Sequence, residues 1–159
     1  IYLHEPEPHG PYTPVPPYDT QYEFGYHGNL SSKVETLKLF NNQISDLEPT
    51  DIRFLESLYN GEISFSDAYL KEILRQLGSH QLREDTLIIV VSDHGEEFLD
   101  HGKLGHGVSL FQEQIHVPIL FSLPGVLPEG EDVLSPAELI DVPPTVLDLI
   151  GENAPATMA

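Results

Sequence analysis

The chain has 159 residues, 40% of them hydrophobic, enough for one domain with a real core. Twenty-six acidic side chains against seven basic ones leave a formal charge of −19, which excludes the basic footprint of nucleic-acid binding and disfavours docking on anionic lipid. Zero cysteines exclude disulfides, thiolate metal sites and a cysteine nucleophile together, and no run in this segment reaches membrane-spanning length, so no direct membrane contact is expected from it.

The opening Ile1-Tyr2-Leu3-His4 reads as the end of a strand belonging to a larger protein. Residues 1–30 are dense in proline and aromatic residues, so helix cannot persist and an extended, looped segment is expected. Within it, Glu7-Pro8-His9-Gly10-Pro11-Tyr12 sets a histidine between rigid turns. This is either a surface loop with an incidental histidine or a device that holds His9 over a site, because a catalytic side chain needs a held geometry. Tyr18, Tyr22, Tyr26 and His27 follow in a loop able to frame a substrate, and residues 31–48 suggest a short helix or an excursion.

From Asp51 the helical period is clear: Ile52, Leu55, Leu58, Tyr59, Ile63, Tyr69, Leu70, Ile73, Leu74 and Leu77 recur at three- and four-residue steps. Thr50 or Asp51 caps the start after Pro49, and Gly78 ends the helix. It reads as scaffold, with Gly61 costing roughly 1 kcal/mol relative to alanine. Leu87-Ile88-Ile89-Val90-Val91 then reads as a strand over 86–92 buried on both faces, as in parallel sheets. A short helix is expected to start in Val108–Glu113, and a second apolar strand spans Val117–Leu123 with Pro118 near its start. Asp141 is the N-cap of a last helix that has prolines in its first turn, an apolar face of Val146, Leu147, Leu149 and Ile150, and Gly151 as its end. This order fits an α/β fold with a mainly parallel sheet.

Ligand and metal sites in such sheets gather past the carboxyl ends of strands. There the chain places Ser92-Asp93-His94-Gly95-Glu96 and a glycine-rich segment carrying His101 and His106. Asp93 and His94 form an oxygen-plus-imidazole pair suited to a divalent cation of the Ca, Mn or Zn type. Two ligands are too few, so either Glu96, Glu97, Asp100 and His101 complete a local cage or chain outside this segment does. A polar loop with a helix-capping Asp93 is the other reading. His106 sits between Gly105 and Gly107, where the backbone can approach a ligand and the imidazole can act as acid, base or cation. His101 reads as supporting, and Lys103 as solvated. Ser92-Asp93-His94 is no catalytic triad, because consecutive side chains cannot point at one another in that arrangement.

At these residues the sequence resembles the sulfatase family of the alkaline phosphatase superfamily. The resemblance runs through Glu7–Tyr12, Leu58-Tyr59-Asn60-Gly61-Glu62-Ile63 to Asp67, Ser92–Glu96 and Gly105-His106-Gly107. It continues at Val117-Pro118-Ile119, Leu123-Pro124-Gly125 and Asp141–Gly151. It implies a three-layer α/β/α sandwich with a mainly parallel sheet, of which residues 1–159 are the C-terminal portion of the catalytic domain. It implies one divalent cation, usually Ca, held partly by Asp93 and His94, and an ester contacted by His9 and His106. It also implies a formylglycine nucleophile and an acidic metal-ligand pair in an N-terminal half that these residues do not include, so this segment is expected to be inactive alone. Many sulfatases carry Lys where this sequence has His106. Histidine there is also similar to phosphoethanolamine and phosphoglycerol transferases, which use a Thr nucleophile and Zn or Mn.

The expected function is therefore metal-dependent hydrolysis of a small sulfate ester. Phosphodiester hydrolysis or phosphoryl-group transfer at the same site is the alternative, and a non-catalytic acidic module binding metal or a protein partner is a third reading. Periplasmic or extracellular placement follows from the resemblance alone.

Overall fold

A computed structural model describes residues 1–22, 24–30 and 47–158. Most of the excursion read at residues 31–48 lies outside the described residues. The elements in order are helix α1 (Pro49–Ser79), strand β1 (Ile88–Val91), the short strands β2 (Glu97–Phe98) and β3 (Leu104–Gly105), the one-turn helix α2 (Gln112–Ile115), strand β4 (Ile119–Ser122) and helix α3 (Val142–Leu149). A 3₁₀ turn at Leu139–Asp141 leads into α3, and another covers Ala156–Met158.

Helix α1 starts two residues earlier than its apolar period suggests. Pro49 takes the first turn, where its missing N–H costs nothing, and Glu48 is the N-cap. Asp51 is the third helical residue, and its carboxylate accepts from the Glu48 N–H at 2.9 Å, one half of a capping box. At the other end Gly78 remains helical. The left-handed residue that closes the helix is Gln81, with φ 58. The Leu82 N–H bonds Leu77 O and the Gln81 N–H bonds Gly78 O, the paired pattern of a Schellman ending.

The apolar stripe is also displaced. Leu55, Leu58, Gly61 and Glu62 are the buried residues of α1, whereas Ile63, placed on the core face by sequence period, is 42% exposed. Gly61 faces the first loop so closely that a Cβ there would lie 2.5 Å from Tyr18 O. The propensity penalty of this glycine is thus the condition for helix–loop contact.

The core lies between the proline-rich loop, the first half of α1 and the β2–β3 hairpin. Tyr12, Leu55, Leu58 and Leu104 are buried in it, flanked by Phe54, Tyr59, Phe98 and Leu99. Tyr12, Tyr59 and Phe98 form an aromatic triangle with centroid separations of 5.3 to 5.8 Å. Such pairs contribute roughly 0.5–1.5 kcal/mol each beyond area burial.

The sheet differs from the expected one. Among the described residues β1 pairs with β4 antiparallel, Ile88 opposite Ser122 and Val91 opposite Ile119, and β2 pairs with β3 antiparallel. A parallel pair needs a crossover, usually a helix, and residues 92–118 offer only a tight hairpin and one helical turn. Ile88–Val90 are half-buried and Val91 is exposed, so β1 is not enclosed on both faces here. Asp141 holds the N-cap position of α3 with proline in the first turn, as expected, but its carboxylate accepts from the Glu138 N–H and makes no cap bond to α3.

Candidate functional site

Past the end of β1 the chain turns back at Gly95, whose N–H bonds Gln114 O at 2.7 Å, and enters the β2–β3 hairpin. This brings together three of the four candidate residues as rings. His94 and His106 stack with centroids 3.7 Å apart, and His9 meets His106 edge-on at 5.1 Å and His94 at 6.3 Å. The fourth, Asp93, adjoins them, its Oδ1 3.7 Å from His94 Nε2. Residues more than eighty positions apart in sequence thus share one cluster.

In each ring Nδ1 is already committed. His9 Nδ1 lies 2.8 Å from Gly10 O, and His94 Nδ1 lies 2.9 Å from Gly95 O. A carbonyl can only accept, so both Nδ1 atoms carry the proton, leaving Nε2 as the lone-pair position of the neutral ring. His106 Nδ1 lies 2.9 Å from Glu96 Oε1. The other oxygen of that carboxylate accepts from the Tyr12 hydroxyl at 2.7 Å. Glu96 is 4% exposed at its side chain and His106 24%, so the relay Tyr12–Glu96–His106 runs from the core out to the cluster. Burial first, and then the Glu96 charge, pushes the Tyr12 hydroxyl far above the usual tyrosine range, so it is a fixed donor.

The glycines flanking His106 have φ of 91 and 81, a region closed to most side chains, and they let the hairpin end turn the imidazole toward His94. A second carboxylate holds that loop. Glu97 is fully buried and accepts the N–H of His101 at 2.9 Å, the N–H of Lys103 at 3.2 Å and the Gln114 side chain at 3.0 Å. Desolvation raises its proton affinity, but these donors outweigh it and keep the carboxyl below its ordinary value. Gln114 in turn accepts the Gly107 N–H at 3.0 Å.

The local cage considered for the metal does not form. Among the described residues no group of three or more His, Asp or Glu side chains is placed to hold an ion. Glu96 and Glu97 are engaged as described, Asp100 accepts the Phe98 N–H at 3.1 Å, and His101 stacks on Phe111 at 3.6 Å. Asp93 and His94 nevertheless offer an exposed carboxylate oxygen and an imidazole lone pair side by side, a donor set that fits part of a divalent-cation site.

Sequence reasoning missed Glu96, Tyr12, Glu97 and Gln114 as the groups that set this geometry. The available signal was position: Tyr12 shares a rigid turn with His9, and Glu96 follows the turn glycine after His94.

The long helix, the paired strands and the histidine cluster past the end of β1 make an α/β arrangement with a polar site at a strand end. The Sulfatase family profile matches residues 1–152, and the chain belongs to that family. It is 29% identical over 109 residues to arylsulfatase K of Canis lupus familiaris, covering 69% of this chain and 20% of that protein. It is 36% identical over 107 residues to the low-salt glycan biosynthesis sulfotransferase of Haloferax volcanii, covering 65% of this chain and 26% of that protein. Among solved structures, the phosphonate monoester hydrolase of Silicibacter pomeroyi aligns with a TM-score of 0.64 at 31% identity, over 74% of this chain and 23% of that one. The phosphonate monoester hydrolase of Agrobacterium radiobacter aligns at 0.63 and 34% identity, over 67% of this chain and 21% of that one. The chain therefore spans only a fifth to a quarter of the curated relatives it matches.

Proposed function

We propose that the full-length protein is a metal-dependent hydrolase of small sulfate esters, and that this chain supplies the ester-facing half of its site. The observation that carries the reading is the meeting of His9, His94 and His106 beside Asp93, with His106 oriented by the buried Glu96. In this reading residues 1–159 are the C-terminal portion of the catalytic domain. Their two short antiparallel pairings are part of a larger sheet in a three-layer α/β/α sandwich.

Asp93 and His94 would hold one divalent cation, Ca by family resemblance, together with ligands from the rest of the domain. When bound, it supplies positive charge at the ester oxygens. With Nδ1 engaged in both rings, Nε2 is the ring position His106 and His9 have left for an ester. Protonated, either ring can donate to the leaving oxygen as the S–O bond breaks. The Glu96 carboxylate, bonded to Nδ1, holds the His106 ring in place for that transfer. The nucleophile, formylglycine by resemblance, would come from chain outside these residues. Periplasmic or extracellular placement belongs to the same proposal, and no helix among the described residues is long and apolar enough to cross a membrane.

A second reading, hydrolysis of phosphonate or phosphate esters, is favoured by the two structural neighbours and by His106 standing where many sulfatases have Lys. Assay of the full-length protein with aryl sulfate, phosphonate monoester and phosphodiester substrates separates them. Aryl sulfate as the substrate of highest kcat/KM supports the first reading, and turnover of the phosphorus esters alone refutes it.

A further inference from the structure

Glu62 takes no part in the histidine cluster, yet it is the carboxylate that the fold of α1 explains least. It occupies the core-facing position four residues after Leu58 and is 1% exposed, where an apolar side chain would pack without a desolvation cost. A local rule broken in a buried position calls for a compensating role. Its Oε1 accepts the Thr13 N–H at 2.5 Å, and the backbone N–H of His9 also lies close enough to the carboxylate to favour its charged form. On the next turn of α1, Ser66 Oγ donates to Glu7 O at 3.2 Å, and one residue before Glu62 the backbone of Gly61 passes under Tyr18 O. The stretch 7–18 is thus tied to α1 at both ends and in the middle. Between the first two ties lie His9, at the edge of the cluster, and Tyr12, which reaches Glu96.

We propose that Glu62 is a positioning residue: its carboxylate clamps the Glu7–Thr13 loop to α1 and so sets His9 against His94 and His106. The clamp itself is independent of the reaction, and only its kinetic consequence rests on the hydrolase reading. Glu62→Leu removes the acceptor while keeping the side chain's bulk. Glu62→Gln keeps a carbonyl oxygen for the Thr13 N–H and serves as the conservative rescue.

In the full-length protein, hydrogen–deuterium exchange of the 7–18 peptide is expected to quicken about tenfold in Glu62→Leu while the α1 peptides keep their protection. On the ester the protein turns over, kcat falls by about tenfold to a hundredfold with little change in KM, as displacement of one group on the order of 1 Å predicts. Glu62→Gln stays within about threefold of wild type, because the acceptor persists. Should Glu62→Leu fail to fold, Thr13→Pro, which deletes the same donor from the loop side, is read in its place. Unchanged exchange at 7–18 overturns the clamp whatever the substrate. Faster exchange with unchanged kcat overturns the positioning role, as does a Glu62→Gln variant as impaired as Glu62→Leu. Faster exchange in a protein that hydrolyses no ester supports the clamp and refutes the hydrolase reading.

Discussion

Replacing Glu96 by Gln tests the relay that orients His106. The carboxylate offers one oxygen to His106 Nδ1 at 2.9 Å and the other to the Tyr12 hydroxyl at 2.7 Å, with its side chain 4% exposed. Glutamine has the same shape but one acceptor oxygen for these two donors, and no charge. Whichever way the amide turns, the imidazolium loses an ionic acceptor. Hydrogen bonds to charged groups are worth roughly 1.5–3 kcal/mol, and about 1.4 kcal/mol is a factor of ten in rate, so kcat should fall by between tenfold and about 150-fold. KM should move by less than about threefold, since in the proposed reaction the loss is felt when charge develops on the leaving oxygen. Steady-state kinetics of the full-length protein, with circular dichroism to confirm the fold, make the measurement. Tyr12→Phe removes the core-side donor to Glu96 and should cost less than Glu96→Gln, and the double variant should cost less than the sum. A Glu96→Gln enzyme with wild-type kcat refutes the argument.

The other expectations are structural and electrostatic. Gly61→Ala gains helix propensity of about 1 kcal/mol but sets a Cβ 2.5 Å from Tyr18 O, a clash costing about 1–3 kcal/mol, so a net loss of up to about 2 kcal/mol in a denaturant melt is expected; a stabilised variant would show the loop is not held there. Burial raises Glu62 from 4.5 to about 7 despite the Thr13 N–H that lowers it. The folded chain therefore keeps a proton that the unfolded chain has released, the cost of the buried charge is absent below pH 4.5, and it is fully present above about pH 7. Stability measured by urea midpoint should fall with rising pH across this window, and Glu62→Gln should flatten the slope; equal slopes would refute it. If the proposed cation is held by Asp93 and His94, Asp93→Ala and His94→Ala should each raise the Ca concentration needed for activity of the full-length protein by at least about ten- to a hundredfold. Unchanged Ca dependence would move the metal elsewhere.

The sequence by itself determined the pieces that depend on local order. The proline turn around His9, the long helix, the β-branched run of β1 and the glycines around His106 follow from neighbouring residues, because propensity, period and backbone restriction act over a few positions. Several boundaries slipped for the same reason: Pro49 and Glu48 start α1 by capping geometry, and Gln81 rather than Gly78 ends it, which period alone does not show. Only the tertiary structure decided which face of α1 is buried, because Glu62 is drawn inward by a backbone N–H forty-nine residues away. It also decided the antiparallel pairing of β1 with β4, which depends on the path of the intervening chain. The candidate site divides in the same way. His9, Asp93, His94 and His106 were legible as residue types able to carry chemistry. That Tyr12 and Glu96 aim His106, and that Glu97 and Gln114 hold its loop, are long-range hydrogen bonds, and no local pattern encodes their partners.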